Sequence, residues 1–265
     1  MSRRDRPSRG RVQVRALALE LQVRDSEPYS RRASRSDGRV GAMVSLREAG
    51  KQERRERILA AAEELIREGD GAAFSMRALA KRAGVAFVTP FNLFESKAGV
   101  LLGLVEKRIE AQVRRLTVRE ETAGPIDRLF EQAVAGSRAY AADPALYGPV
   151  IRAIATADGF DHEKLMSRSV ALWLLALRDA AEAGLVRTDQ DLKRLARSLH
   201  LGFRLTLWQW ALGGLSADDL EIHCQHAVSV CLLAALTEEG RALVLERVGD
   251  LEVPTENQRR RRKRV

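Results

Sequence analysis

The sequence predicts an all-α protein of roughly nine helices. Three observations predict it. From Lys51 almost to the end of the chain, apolar residues recur three and four positions apart, the period of an amphipathic helix. The interruptions in that pattern are helix punctuation: Gly, Asp before Pro, and Ser or Thr at cap positions. No stretch alternates apolar and polar residues over the length a half-buried strand needs.

The first helix carries Ile58, Leu59, Ala62, Leu65 and Ile66 on one stripe and stops at Gly69-Asp70-Gly71. Ser75 is placed to cap a short second helix that holds Leu79, Ala80 and Ala83. Gly84 breaks that helix, and a third short one spans about 86–92. Ser96 caps a longer fourth helix with Leu101, Leu104, Val105, Ile109 and Val113 on one face. Gly124-Pro125 separates the fourth helix from the fifth. Asp143-Pro144, a cap followed by Pro at the first helical position, opens a sixth, which Asp158-Gly159 ends. Leu165, Trp173, Leu174 and Leu177 mark a seventh over 162–183, closed by Gly184. Thr188 or Asp189 caps an eighth that runs to Gly213-Gly214. Ser216-x-x-Asp219, a capping box with Asp in the Glu position, opens a ninth that runs to about Glu239. No internal repeat is visible.

Composition bounds the function. The chain has 265 residues, 45% hydrophobic and 31% charged, ordinary values for a globular protein with a sizeable core and one or two domains. Cys224 and Cys231 are the two cysteines, too few for a disulfide framework. No run of about 18 apolar residues exists to span a membrane. The Arg-rich start lacks the apolar core of a secretory leader, so the expected location is the cytoplasm. The net charge of +9 suggests a polyanionic partner, but it is unevenly placed. Residues 1–42 hold eleven Arg against five acids, residues 254–265 hold six basic residues against one acid, and residues 43–253 are slightly negative. Residues 1–44 therefore read as a disordered basic arm, and 248–265 as a disordered basic tail. Met43 is an alternative start, in which case residues 1–42 are not part of the protein.

Residues 75–97 carry the functional signal. A short helix, a glycine turn and a second short helix follow one another, with Ala80 small enough for two helices to cross and Val85 beneath the turn. That is the logic of a helix-turn-helix, although the spacing alone also fits a helical hairpin in a bundle. The residues themselves go further. Ile58-Leu59-x-Ala-Ala, the glycine at 71, Ser75-Met76-Arg77-x-Leu79-Ala80, Ala83-Gly84-Val85, Thr89-x-Phe91-x-x-Phe94, Ser96-Lys97 and Leu101 stand in one register. Over 54–101 the chain resembles the DNA-binding domain of the TetR/AcrR family of transcriptional regulators. The resemblance implies a helix-turn-helix domain over 45–97 and a helical ligand-binding and dimerisation domain over 98–247.

The resemblance also implies the site. The third helix would enter the major groove with Phe87, Val88, Thr89 and Asn92 outward. Asn92 can bridge adenine N6 and N7, Thr89 can bond a phosphate or base, and Phe87 and Val88 offer only apolar contact, as to thymine methyls. Arg77 could fork onto guanine, and Lys97 would bind phosphate beside the start of the fourth helix. Arg47, Lys51, Arg54 and Arg55 form a basic stretch that could add phosphate contacts. Two departures from the family pattern stand out. Phe91 replaces the usual Tyr, so it reads as a packing residue, and Ala86 replaces the usual polar cap at a cost of about 1 kcal/mol. The reading head is then poor in hydrogen-bond donors, so more weight is expected on backbone contacts and DNA shape, although residues 43–97 are nearly neutral, with ten basic residues against eight acids.

In the C-terminal half, Phe130, Tyr140, Tyr147, Phe160, Trp173, Phe203, Trp208 and Trp210 are scattered among Ala and Leu, and each reads first as core, so no pocket residues are singled out. The resemblance implies an apolar pocket in this half, with a small hydrophobic ligand whose filling of it shifts the two reading heads. Trp208 and Trp210 lie on different faces of the eighth helix, one for the core and one for a partner subunit. The eighth and ninth helices, about 190–212 and 216–239, are expected to pair in a homodimer. His223, Cys224, His226 and Cys231 resemble metal-ligand types, but the cysteines lie seven apart on an apolar stripe and read as core or interface, so no metal and no cofactor is expected. Gly69-x-Gly71 lacks a third glycine and a preceding strand, and no Walker A, G-x-S-x-G or H-E-x-x-H occurs, so no enzyme is expected. The expected function is a repressor released from a palindromic operator in double-stranded DNA. The alternative is an architectural DNA-binding protein that needs no ligand and binds through its basic ends.

Overall fold

A computed structural model describes residues 38–69, 71–118, 123–156 and 162–252. Of the tail expected over 248–265, residues 248–252 are helical and the rest lies outside the described residues, as do the arm up to 37 and the expected break at Asp158-Gly159. Ten helices stand among those described: α1 (Gly38–Glu68), α2 (Met76–Arg82), α3 (Val88–Phe94), α4 (Lys97–Val118), α5 (Pro125–Ala141), α6 (Pro144–Thr156), α7 (His162–Glu182), α8 (Leu192–Ala211), α9 (Ala217–Leu233) and α10 (Glu238–Glu252), with a 3-10 turn at Gly71–Ala73. No helix among the described residues is long and apolar enough to cross a membrane. The backbone of α1 begins well before Lys51, so 38–44 are helical where an arm was expected.

The compact units do not follow chain order. One gathers α1 to α4 with α6, and the other gathers α5 with α8 to α10 and α7 from Met166. In the first unit, Ile58, Ala62, Ile66, Leu79, Phe94, Val100 and Leu104 are buried. Arg67 clamps Asp143 at 2.8 Å, and the same carboxylate accepts from the Leu146 N–H at 3.1 Å, which caps α6. Gly71 has φ +65, and a Cβ there would come within 2.9 Å of the Pro149 side chain. Glycine at this turn is therefore needed both for the backbone and for the close approach of α6.

In the second unit, Leu129, Phe130, Trp173, Leu177, Leu199, Leu220, Leu232 and Leu236 are buried. Phe203 fills the space that a side chain at position 136 would need, and its ring lies 6.0 Å from that of Trp173. Gly184 (φ +75) and Gly213 (φ +81) end α7 and α8 as their sequence positions suggest. At the start of α9, Ser216 accepts from the Asp219 N–H at 3.1 Å and donates to its carboxylate at 2.6 Å.

Three further boundaries differ from expectation. The eighth helix is capped by Asp191, which accepts from the Lys193 and Arg194 N–H groups, and not by Thr188 or Asp189. Asp189 is taken by Arg187 at 2.7 Å, a pairing that holds its carboxyl down at about 2. The ninth helix stops at Leu233 instead of Glu239, because Leu236 forms an antiparallel bridge with Val186 and Thr237 caps a tenth helix. The third helix begins at Val88, not 86. Neither Ala86 nor Phe87 has a side chain that can cap it, and Phe87 makes no capping hydrogen bond.

Candidate nucleic-acid interface

Local chemistry sets the angle between α2 and α3. Ser75 accepts the Ala78 N–H at 3.1 Å and starts α2. At the far end Gly84 takes φ +62, and the Val85 N–H reaches the Ala80 carbonyl at 3.0 Å. This left-handed cap turns the chain at once into α3. Leu79 and Ala80 are buried at the crossing, and Val85 is half-buried under the turn. Pro90 lies in the first turn of α3, where its missing N–H leaves no acceptor unfilled, and is itself buried.

The end of α3 is fixed just as tightly. Glu95 has φ +64 and donates its N–H to the Phe91 carbonyl at 2.8 Å. Ser96 then caps α4 by accepting the Gly99 N–H at 3.1 Å. A Cβ at Gly99 would collide with the Phe94 carbonyl oxygen, so α4 leaves α3 at a distance only glycine permits. The Phe94 ring packs against the position of Gly103 and under Arg55, whose guanidinium carbon lies 4.5 Å from the ring centroid.

The six expected contact residues fall into two groups. Phe87 and Val88 are 52% and 55% exposed at the head of α3, Asn92 is exposed one turn further on, and Thr89 is half-buried beside it. Arg77, on the outer side of α2, holds its guanidinium carbon 5.6 Å from the centroid of the Phe87 ring. Lys97 stands apart from these at the first position of α4. Its ammonium lies 4.9 Å from the Phe74 ring centroid, and partial burial lowers its pKa.

Phe91 packs, as its lack of a hydroxyl suggests, but on the surface. Its ring meets that of Phe87 edge-on at 5.4 Å between centroids and remains partly exposed. Arg55 departs from the expected basic stretch. It turns inward to Glu106 at 3.1 Å and to the Leu93 carbonyl, whereas Arg47, Lys51 and Arg54 stay exposed. Arg82 is likewise engaged, with Glu64 at 3.1 Å and Glu68 at 2.7 Å. Sequence reading missed Phe74, whose only signal was an aromatic residue just before the Ser75 cap.

A helix-turn-helix with an outward second helix is a shape made for a major groove. Comparison with known proteins agrees. Residues 58–104 match the family model described as bacterial regulatory proteins, tetR family. The HTH-type transcriptional repressor KstR of Mycolicibacterium smegmatis is 30% identical over 203 residues, which span 72% of this chain and 94% of that protein. The chain belongs to the TetR family of bacterial transcriptional regulators. Among solved structures, a TetR regulator from Rhodococcus sp. RHA1 is similar at 26% identity with a TM-score of 0.55, covering 69% of this chain and 96% of that one. FadR of Thermus thermophilus, a TetR-family repressor in complex with lauroyl-CoA, is similar at 25% identity with a TM-score of 0.57, over the same shares. As a TetR-family member the chain is a DNA-binding regulator and not an enzyme.

Proposed function

We propose that this TetR-family chain is a homodimeric repressor. It binds a palindromic operator through α3 and leaves it when a small hydrophobic ligand fills the unit built from α5 and α7 to α10. The observation that carries the reading is the outward face of α3, where Phe87, Val88 and Asn92 are exposed on a helix locked by Gly84 and Gly99. On this reading Thr89 and Asn92 contact bases or adjoining phosphates, and Lys97 binds phosphate beside the N-terminus of α4. The named repressor relative supports repression. The Thermus FadR complex with lauroyl-CoA supports a ligand that carries an apolar chain.

The second copy is expected on α8. Leu201, Leu205, Trp208 and Leu212 form an exposed stripe along that helix, whereas Trp210 is buried on its other side. Gly202 brings α9 close, so that a Cβ there would touch Ala227 and Cys231, and Val230 is exposed on α9. Two such helix pairs facing each other would bury the stripe.

The test is a gel shift on the DNA upstream of the chain's own gene. The wild type should shift one palindrome. The double variant Thr89→Ala with Lys97→Ala should lose the shift and remain a dimer. Unchanged DNA binding, or monomerisation, would count against the assignment. Removal of residues 1–42 and 254–265 should leave operator choice intact; loss of specific binding would favour the architectural alternative. A ligand screen for release of the shifted band then identifies the effector.

A further inference from the structure

We infer that Arg77, Phe87 and Val88 act as one composite reader of a thymine and its neighbouring guanine. This rests on α3 lying in the major groove, as proposed above. Phe87 and Val88 are the two most exposed large apolar side chains of the helix-turn-helix, and they sit together at its tip. The Phe87 ring is held from two sides, by the edge contact with Phe91 at 5.4 Å and by the Arg77 guanidinium at 5.6 Å. The result is an ordered apolar platform with a cation on it. Arg77 is exposed and makes no ion pair with a carboxylate among the described residues, so its donors are not committed to an acid of the protein, and its guanidinium approaches the Phe87 ring.

The major groove narrows what such a platform can meet. The thymine C5 methyl is the one apolar group among the base edges there, and guanine O6 and N7 form the edge that a guanidinium reads with two bonds. Bases on one strand rise about 3.4 Å per step. A guanidinium and a ring held 5.6 Å apart span between one and two such steps, which puts adjoining base pairs within their common reach and distant ones outside it. The methyl packs on Phe87 and Val88 while Arg77 forks onto the guanine beside it. Because 5-methylcytosine carries the same C5 methyl, it should replace the thymine in this role, and unmodified cytosine should not.

The test changes DNA and leaves the full-length chain untouched. Each thymine of the operator is replaced in turn by deoxyuridine, and each guanine by 7-deazaguanine, with affinity read by titration. One thymine per half-site should show a loss of about fourfold on removal of its methyl, the worth of one buried methyl group. The guanine beside it should show the largest loss on removal of N7. Replacing that thymine–adenine pair by cytosine–guanine should weaken binding, and 5-methylcytosine at that position should restore it. In Phe87→Ala, whose altered side chain lies at the surface, both sensitivities should shrink together. If the operator is bound but no thymine methyl matters, or the sensitive thymine and guanine are not neighbours, the inference is overturned and the repressor reading stands. If no operator is bound at all, the repressor reading fails and takes the inference with it.

Discussion

The ammonium of Lys97 sits at the first position of a 22-residue helix, against the Phe74 ring, with burial lowering its pKa. Lys97 is the first residue of α4, whose opening N–H groups carry partial positive charge, so an anion bound there gains from both. On the proposed reading that anion is a DNA phosphate. Lys97→Ala should then weaken binding to operator and unrelated DNA alike and reduce the salt dependence by about one counterion. Titration at several salt concentrations checks this, and a loss confined to the operator would rule it out. His200 makes a second prediction at the same scale. Its side chain is 5% exposed, both ring nitrogens lack a hydrogen-bond partner among the described residues, and burial, with Arg204 and Arg197 nearby, pushes its pKa down to about 4. The folded protein thus keeps His200 neutral, while the unfolded chain takes up a proton near 6.5. Stability from this group is complete above that value and is lost as the pH falls toward 4, by roughly 2–3 kcal/mol. Urea melts of the wild type and His200→Phe across pH 7 to 4.5 should converge in their pH dependence if another group were responsible, and diverge if His200 is.

At the scale of elements, side chains that cap their own helix were legible, and interactions made across the fold were not. Ser75, Gly84, Ser96, Asp143 and Ser216 act within a few residues of themselves, so their types and spacing suffice. Asp189 looked like the cap of α8, but Arg187 engages it, and Asp191 caps the helix instead. Arg55 read as one more surface cation because Glu106 lies 51 residues further along. The break after Leu233 is the clearest case. Leu232, Leu233 and Leu236 continue the helical period, and the pairing of Val186 with Leu236 is what ends it. Thr237 followed by Glu238 and Glu239 was the local signal available, a cap with acids in the first turn. The outward face of α3 was legible, but the approach of Arg77 to the Phe87 ring was not, since it joins α2 to the head of α3. Thr237→Ala should cost about 1 kcal/mol by loss of its bond to the Gly240 N–H. Gly99→Ala should do far more harm, because its Cβ would meet a backbone carbonyl that cannot yield. It should abolish DNA binding and lower the melting temperature. An alanine variant with wild-type melting would show that the α3–α4 corner is looser than its geometry implies.

For the whole molecule, four exposed large apolar residues of the second unit are grouped on α8 and its C-terminal cap, apart from Val230, Leu243 and Leu245. Leu201, Leu205, Trp208 and Leu212 follow one another at four, three and four positions, which on a helix is a single stripe. A water-facing stripe of this kind marks an interaction surface more often than a random scatter of apolar residues does. On the proposed reading a second copy covers it. A dimer built this way binds two half-sites about one helical turn apart, and its operator affinity depends on both reading heads being joined. Leu205→Asp places a carboxylate in the middle of that stripe, where it would be buried against its own copy in the partner. The expected product is a folded monomer with native helical circular dichroism, because Leu205 is exposed within the protomer and contributes little to its core. Sedimentation should show half the wild-type mass, and the palindrome should be bound far more weakly, whereas a single half-site should be bound about as well as before. A melting temperature that rises with protein concentration in the wild type, but not in Leu205→Asp, would give the same answer by mass action. A variant that stays dimeric would move the interface off α8 and take the proposed spacing of the two recognition helices with it.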